Sequence, residues 1–118
     1  MAQAMEFFAK FKGEFEKVKA QLPDVGQGMS GLSSKVMKDG ALTVKEKELI
    51  ALGISVALRC EACIRLHTRS CLTSGASRQQ ILEAASVAVM MGGGPAYTHI
   101  PLVIDTLDAL ESQSSDKK

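Results

Sequence analysis

One stretch of this sequence constrains the fold more than any other. In residues 49–58 only Gly53 and Ser55 are not apolar. The preceding Thr43 and Glu46 have the spacing of a capping box, which predicts that a helix begins there. A helix that is apolar on all sides is buried on all sides. Because a chain of 118 residues builds one small core, the stretch also indicates a subunit interface, and we expect a homo-oligomer.

The rest of the sequence predicts an all-α fold. Ala, Leu, Met, Lys, Glu and Gln are frequent, and no segment alternates with the period of two that is typical of a strand. Pro23 should end the first helix, Gly26 and Gly28 should form a loop, and the run from Gly92 to Pro95 should end a later helix. The result is a bundle of about six helices, predicted at residues 5–22, 32–37, 44–58, 61–73, 81–91 and 97–110.

Length and composition limit the functions to consider. We interpret residues 1–118 as a single domain with its core at about 42–110 and a frayed polar tail at 112–118. A net charge of +1 indicates neither nucleic acid nor a membrane surface as a partner. No apolar run approaches the roughly 20 residues of a membrane span, and no signal peptide is visible. We therefore expect a cytoplasmic protein with few structural disulfides.

The chemistry is predicted to lie in residues 60–67. Cys60, Cys63, His67 and Cys71 fall within roughly 80° of arc on an α-helix, so they line one face. The Cα atoms of Cys60 and Cys63 would be about 5 Å apart, which permits a disulfide. The first helical turn would favour a thiolate at Cys60. His67 lies four residues after Cys63 and could accept its proton, which makes Cys63 the predicted nucleophile.

Three other residues are candidates for this site. Glu48, at the start of the apolar helix, could pair with His67 and hold it as an oriented base, or it could be a solvated residue beside Lys45 and Lys47. Cys71 is interpreted as a small apolar core residue. His99 is interpreted as a capping or packing residue.

Two alternatives to redox chemistry remain open on this reasoning. Cys60, Cys63 and His67 could bind a metal, although a zinc site would need at least one further ligand from elsewhere in the chain. The thiols could also be buried and inert. Redox chemistry is the preferred interpretation, with no cofactor and no resident metal.

Residues 42–110 resemble the carboxymuconolactone decarboxylase-like superfamily, specifically its alkylhydroperoxidase D (AhpD) branch. The pattern of that branch is a Glu, then a Cys-x-x-Cys about a dozen residues later, then a His four residues after the second Cys. Glu48, Cys60, Cys63 and His67 match it, and residues 88–96 look like a helix end of this superfamily. The resemblance implies an all-α fold whose subunits form dimers, trimers or hexamers.

The resemblance also implies a mechanism. Cys63, deprotonated through Glu48 and His67, would attack a hydroperoxide or a partner's disulfide, Cys60 would resolve the product, and an external dithiol protein or small thiol would reduce the pair again. Lactone decarboxylases of the superfamily generally lack the cysteine pair. A cofactor-free lyase that uses only Glu48 and His67 is the alternative. Ala62 stands where AhpD can carry a His between the cysteines, which favours disulfide exchange over peroxide reduction.

Overall fold

The chain forms six α-helices, as the computed structural model describes it for residues 1–116. No strand occurs among those residues, so the all-α prediction is confirmed. The helices are α1 (Ala2–Gln21), α2 (Pro23–Val36), α3 (Val44–Leu58), α4 (Glu61–Thr73), α5 (Arg78–Tyr97) and α6 (Ile100–Asp116).

Side-chain caps set the starts of α3 and α5. The Thr43 hydroxyl accepts a hydrogen bond from the Glu46 amide at 3.1 Å, and the Glu46 carboxylate accepts one from the Thr43 amide at 2.9 Å. Ser77 and Gln80 form the same reciprocal pair at the start of α5. Each box satisfies amide groups that the first helical turn leaves without a backbone partner. The capping prediction at Thr43 and Glu46 is therefore confirmed.

The core lies among α3, α4, α5 and α6. Helix α3 packs most extensively against α5 and α4, and α4 packs against α6. Helix α1 covers part of α6, while α2 packs mainly against α1. The fully buried apolar side chains that define the core include Leu52, Val56, Ile64, Cys71, Ile81, Ala85, Val103 and Leu107.

The predicted loop at Gly26 and Gly28 is wrong. Both glycines lie inside α2, which begins at Pro23. Proline is well suited to the first helical position, because its missing amide has no intrahelical partner there. Gly26 has a packing role, since a Cβ at this position would come within 3.1 Å of Lys19 Cγ on α1. The short helix predicted at 32–37 is the end of α2.

Helix α3 is not buried on all sides within one chain, and its predicted burial at a subunit interface stays a prediction. Ile50, Ile54 and Leu58 are 50%, 54% and 70% exposed. The opposite side of the helix carries Leu52 and Val56, which are fully buried. The single chain thus covers only part of this apolar helix.

Two predicted helix ends also differ from the structure. Helix α6 begins at Ile100 instead of residue 97, and it continues through Asp116 into the region predicted to fray. Lys117 and Lys118 lie outside the described residues. Over residues 1–116, no single helix has the length and apolar composition to cross a bilayer; α5 and α6 meet that test only as a pair bent by 101°.

The predicted stop near Gly92 is a kink. Gly93 has φ 64° and ψ −146°, which interrupts the helical backbone of α5. Residues with a Cβ rarely adopt this conformation. Pro95 follows in the short helical segment beyond the kink, where its fixed φ is tolerated in a first turn.

Replacing Gly93 with Ala should destabilise the protein by about 1–3 kcal/mol, because the added Cβ opposes the required backbone conformation. The added atom itself meets nothing within 4 Å, so the cost is conformational. Urea unfolding followed by circular dichroism measures the effect. Gly94→Ala is the matched control, because Gly94 has helical geometry and equal free space. Equal stability of the two variants would contradict the interpretation.

Candidate active site

A two-residue connection places the cysteines at the start of α4. Arg59 ends α3 in the left-handed conformation, with φ 58° and ψ 42°. The Cys60 amide then donates to the Ser55 carbonyl at 3.2 Å. This hydrogen bond ties the first cysteine to the last turn of α3. The direction of α4 relative to α3 is therefore fixed at Cys60.

Cys60 and Cys63 form a disulfide, with their Cα atoms 5.3 Å apart. Cys60 is the N-cap of α4, and its Sγ accepts a hydrogen bond from the Cys63 amide at 3.3 Å. Both side chains are half-buried. The spacing and the helical placement agree with the sequence-based expectation. A pair in this position can open and close without moving the helix.

The helix end favours negative charge on the Cys60 sulfur. Amide groups of the first turn point towards the N-cap, and the positive end of the helix dipole lies there. Such surroundings stabilise a thiolate over a thiol. A sulfur stabilised as a thiolate is also the better leaving group in disulfide exchange. When the disulfide is reduced, Cys60 is therefore the sulfur expected to be released and Cys63 the sulfur expected to be attacked.

Glu48 and His67 form a direct contact between α3 and α4. Glu48 Oε1 lies 2.7 Å from His67 Nδ1. The Glu48 residue is 9% exposed, whereas the His67 side chain is 33% exposed. The alternative of a solvated Glu48 is therefore wrong, and the two residues pair as expected. Because a carboxylate only accepts hydrogen bonds, Nδ1 is the donor to Glu48, and the neutral form of the ring held this way has its free lone pair on Nε2.

Cys71 lies on the same face of α4, four residues beyond His67, and is fully buried. Burial, followed by the negative charge of Glu48, raises the pKa of the Cys71 thiol to about 12. The group stays protonated at neutral pH, and a thiol in that state is a poor nucleophile. Its interpretation as a core residue outside the redox pair is confirmed by its burial.

His99 lies at the junction of α5 and α6. His99 Nδ1 donates to the Pro95 carbonyl at 2.8 Å, which links the end of α5 to the start of α6. This is the local capping role that was predicted. Among the side chains that the structure describes, those of residues 1–114, no three His, Cys, Asp or Glu groups lie close enough together to hold a metal ion.

Arg65 is a buried charge that sequence reasoning missed. It is 1% exposed, and its Nη1 donates to Asp105 Oδ2 at 2.8 Å and to Thr106 Oγ1 at 3.1 Å on α6. Its Nη2 lies 3.5 Å from Glu61 Oε1. The contacts with Asp105 and Thr106 fasten α4 to α6. In the sequence, Glu61 and Arg65 look like an ordinary exposed i, i+4 pair, so no signal identified the buried role.

The fold and site thus define a small all-α protein with a Cys-x-x-Cys disulfide at the start of α4. A carboxylate–imidazole pair joins the same helix to α3. The sequence profile of the carboxymuconolactone decarboxylase family matches residues 23–104. The chain belongs to the carboxymuconolactone decarboxylase family.

Individual relatives agree with this assignment. A carboxymuconolactone decarboxylase family protein from Legionella pneumophila superposes with a TM-score of 0.87 at 30% identity, covering 92% of this chain and 97% of that one. A Paracoccus denitrificans protein, described as uncharacterized protein 4 in cox locus, is 34% identical over 84% of this chain and 86% of its own length. The alkyl hydroperoxide reductase AhpD of Corynebacterium kroppenstedtii is 26% identical over 59% of this chain and 40% of its own length.

The buried Cys71 thiol should make stability depend on alkaline pH. Its pKa is near 12 in the folded chain and near 9 as a free thiol. Because this pKa is raised, the folded state disfavours the thiolate. The contribution of the protonated Cys71 to the free energy of unfolding is therefore complete below pH 9 and is lost as pH rises from 9 towards 12. The free energy of unfolding of a protein with Cys71 should therefore fall more steeply over this window than that of Cys71→Ala.

Urea unfolding at several pH values measures the difference. Both proteins should carry Cys60→Ser and Cys63→Ser, so that no disulfide can exchange with Cys71 at high pH. Loss of the buried side chain should also cost Cys71→Ala about 1 kcal/mol at neutral pH. Parallel pH profiles would show that the folded state does not suppress ionisation of Cys71.

Proposed function

We propose that this protein is a thiol–disulfide oxidoreductase that uses Cys60 and Cys63 to reduce hydroperoxides or partner disulfides. The observation that carries the proposal is the Cys60–Cys63 disulfide at the N-terminus of α4, on the helix that also presents His67 paired with Glu48. The low-identity match to a protein named alkyl hydroperoxide reductase AhpD supports the same chemistry.

The oxidative half-reaction begins at a reduced Cys63. Its thiolate attacks the outer oxygen of a hydroperoxide, the O–O bond breaks, and the departing alkoxide takes up a proton to become an alcohol. Cys63 is then a sulfenic acid. Cys60 attacks the sulfenic sulfur, the disulfide forms, and water leaves. With a disulfide substrate, the Cys63 thiolate attacks one sulfur, the S–S bond breaks and the other sulfur leaves as a thiolate. Cys60 then attacks Cys63 in the mixed disulfide, which closes the Cys60–Cys63 disulfide and releases the second substrate thiol.

Glu48 and His67 would supply the proton transfers. With Nδ1 held by Glu48 Oε1 at 2.7 Å, the imidazole is fixed in the tautomer whose Nε2 can accept a proton. His67 follows Cys63 by one helical turn on the same face. It would take the Cys63 proton as a general base and return it to the leaving group as a general acid. Glu48 would orient the ring and stabilise its charged form.

The reductive half-reaction returns the pair to dithiol. An external thiolate attacks Cys63, and Cys60 leaves as the thiolate that the helix N-terminus stabilises. A second donor thiol then releases Cys63. Two electrons and two protons enter from the external dithiol, which becomes a disulfide. No cofactor takes part in this cycle.

The two cysteines should differ when replaced one at a time. Cys63→Ser and Cys60→Ser should each abolish turnover of hydroperoxide or of a small disulfide with a dithiol donor. Only Cys60→Ser, given a small disulfide and no dithiol donor, should accumulate a stable mixed disulfide, because it keeps the attacking Cys63, lacks the resolving thiol and meets no donor thiol that could release Cys63. Turnover assays and intact-protein mass spectrometry measure both effects.

Cys71→Ala provides the control for the pair, since it removes a thiol outside the proposed cycle. It should retain turnover. The redox proposal is overturned if both single serine variants keep full activity, or if activity towards any substrate of the family survives complete alkylation of the reduced protein. A trapped adduct found only on Cys60 would reverse the assigned roles of the two cysteines.

Glu48→Gln should slow the reaction of Cys63 by about 10²-fold at neutral pH, because the Gln amide carries no charge to stabilise the imidazolium and can donate to Nδ1, which favours the wrong tautomer of His67. The loss should shrink as pH approaches the ordinary pKa of a thiol, near 8.5, where Cys63 ionises without a base. The rate of alkylation of Cys63, followed by mass spectrometry from pH 6 to 9, measures the effect.

Glu46→Gln is the matched control, because it makes the same change on α3 at an exposed residue and Gln can still form the capping box. Its alkylation profile should match that of the unmodified protein. Identical profiles for Glu48→Gln and Glu46→Gln would remove Glu48 from the proposed relay while leaving the cysteine chemistry in place.

A further inference from the structure

Arg59 has an unusual backbone conformation for its residue type. Its φ of 58° and ψ of 42° lie in the left-handed region, and among residues 1–116 it is the one residue other than glycine with a positive φ. Glycine adopts this conformation without steric cost, whereas a Cβ makes it costly. A costly conformation beside a reactive group points to a functional role. Because Arg59 directly precedes Cys60, that role is to be sought at the disulfide.

The Arg59 side chain is exposed and has no ion pair with any side chain that the structure describes. The three other arginines of the chain have partners, namely Asp105 for Arg65, Asp108 for Arg78 and the Phe8 ring for Arg69. Among the described side chains, Arg59 is therefore the arginine left to meet a ligand.

The acidic residues near the disulfide have partners other than Arg59. Glu48 Oε1 lies 2.7 Å from His67 Nδ1, and Glu61 Oε1 lies 3.5 Å from Arg65 Nη2. The Arg59 guanidinium stays within roughly 10 Å of the Cys60 Cα in any rotamer, because consecutive Cα atoms are only about 3.8 Å apart. A molecule that approaches the disulfide therefore meets Arg59 as the unpaired charge beside it.

We propose that Arg59 selects disulfide substrates and thiol donors that carry a carboxylate close to their sulfur. This inference rests on the proposed oxidoreductase function. A guanidinium binds a carboxylate through two parallel hydrogen bonds, and the attraction between unlike charges raises the rate of encounter. A carboxylate bound at Arg59 would bring the sulfur attached to it close to the cysteine pair.

The Arg59 charge also favours the exchange step itself. When a donor thiolate attacks Cys63, a new S–S bond forms, the Cys60–Cys63 bond breaks, and Cys60 takes the electron pair. A second donor thiol then releases Cys63, and the donor leaves as a disulfide. Negative charge thus moves from the donor sulfur to Cys60, the neighbour of Arg59. A cation beside a cysteine stabilises its thiolate.

Two disulfide reagents of different charge test the proposal on the reduced, full-length protein. Dithiobis(nitrobenzoate) carries two carboxylates, and dithiodipyridine carries none. At an ionic strength of about 50 mM, the ratio of their rate constants should fall about 3-fold in Arg59→Gln and about 8-fold in Arg59→Glu, because one charge roughly 8 Å away acts on a dianion. Arg59→Lys should keep the ratio. In about 0.5 M salt, the differences should disappear. Stopped-flow absorbance measures both rates.

Arg69→Gln is the matched control. It removes the same charge from a side chain that lies over the Phe8 ring, about 13 Å further along α4 than Cys60. The ratio should change less than about 1.5-fold in this variant. Arg59→Gly should lower the ratio as Arg59→Gln does, while it raises the urea concentration at the midpoint of unfolding, because glycine removes the steric cost of the left-handed conformation.

The two reagents separate failure of this inference from failure of the proposed function. If neither reagent closes the Cys60–Cys63 disulfide, both are overturned. If dithiodipyridine closes it and the ratio for Arg59→Gln equals that of the unmodified protein, only the role of Arg59 is overturned. A ratio that falls equally in Arg69→Gln, or that falls in Arg59→Lys as far as in Arg59→Gln, also rules out selection by the Arg59 charge.

Discussion

The packing of α3 between α4 and α5 is the constraint on which the rest of the structure depends. One side of α3 supplies core residues such as Leu52 and Val56. Its start presents Glu48 to α4, and its end delivers Cys60 to the first turn of α4. A shift of α3 along α4 would therefore disturb the carboxylate–imidazole pair and the approach to the disulfide together. On its other side, α4 is anchored to α6 by Arg65.

The proposed chemistry uses two different means of stabilising charge on one short helix. Cys60 lies at the helix N-terminus, where amide groups and the dipole favour a thiolate. His67, one turn beyond Cys63, relies on a side-chain partner instead. The first arrangement favours departure of Cys60 and the second favours activation of Cys63. Cys71 lies on the same face but is buried without either kind of support, and the raised pKa of its thiol keeps it out of the reaction.

Local rules predicted much of the fold because they concern neighbouring residues. Thr43 and Glu46 form the expected capping box, and the cysteine helix spans residues 61–73 as predicted. The loop at Gly26 and Gly28 was wrong because glycine propensity competes with packing, and Gly26 lies in α2 where α1 approaches. The burial expected for α3 is incomplete within one chain, because apolar composition says that a side chain should be covered without saying by which chain.

By itself, the sequence determined the helical class, the starts of α3 and α4 and the placement of two thiols and an imidazole on one face, since these depend on periodicity and on caps within a few residues. Only the tertiary structure decided that Glu48 is buried against His67 and that Arg65 of α4 is a buried charge paired with Asp105 on α6. It also left the apolar faces of α2 and α3 uncovered. These features join residues from different helices, and their distances depend on how the helices pack, which no local pattern encodes.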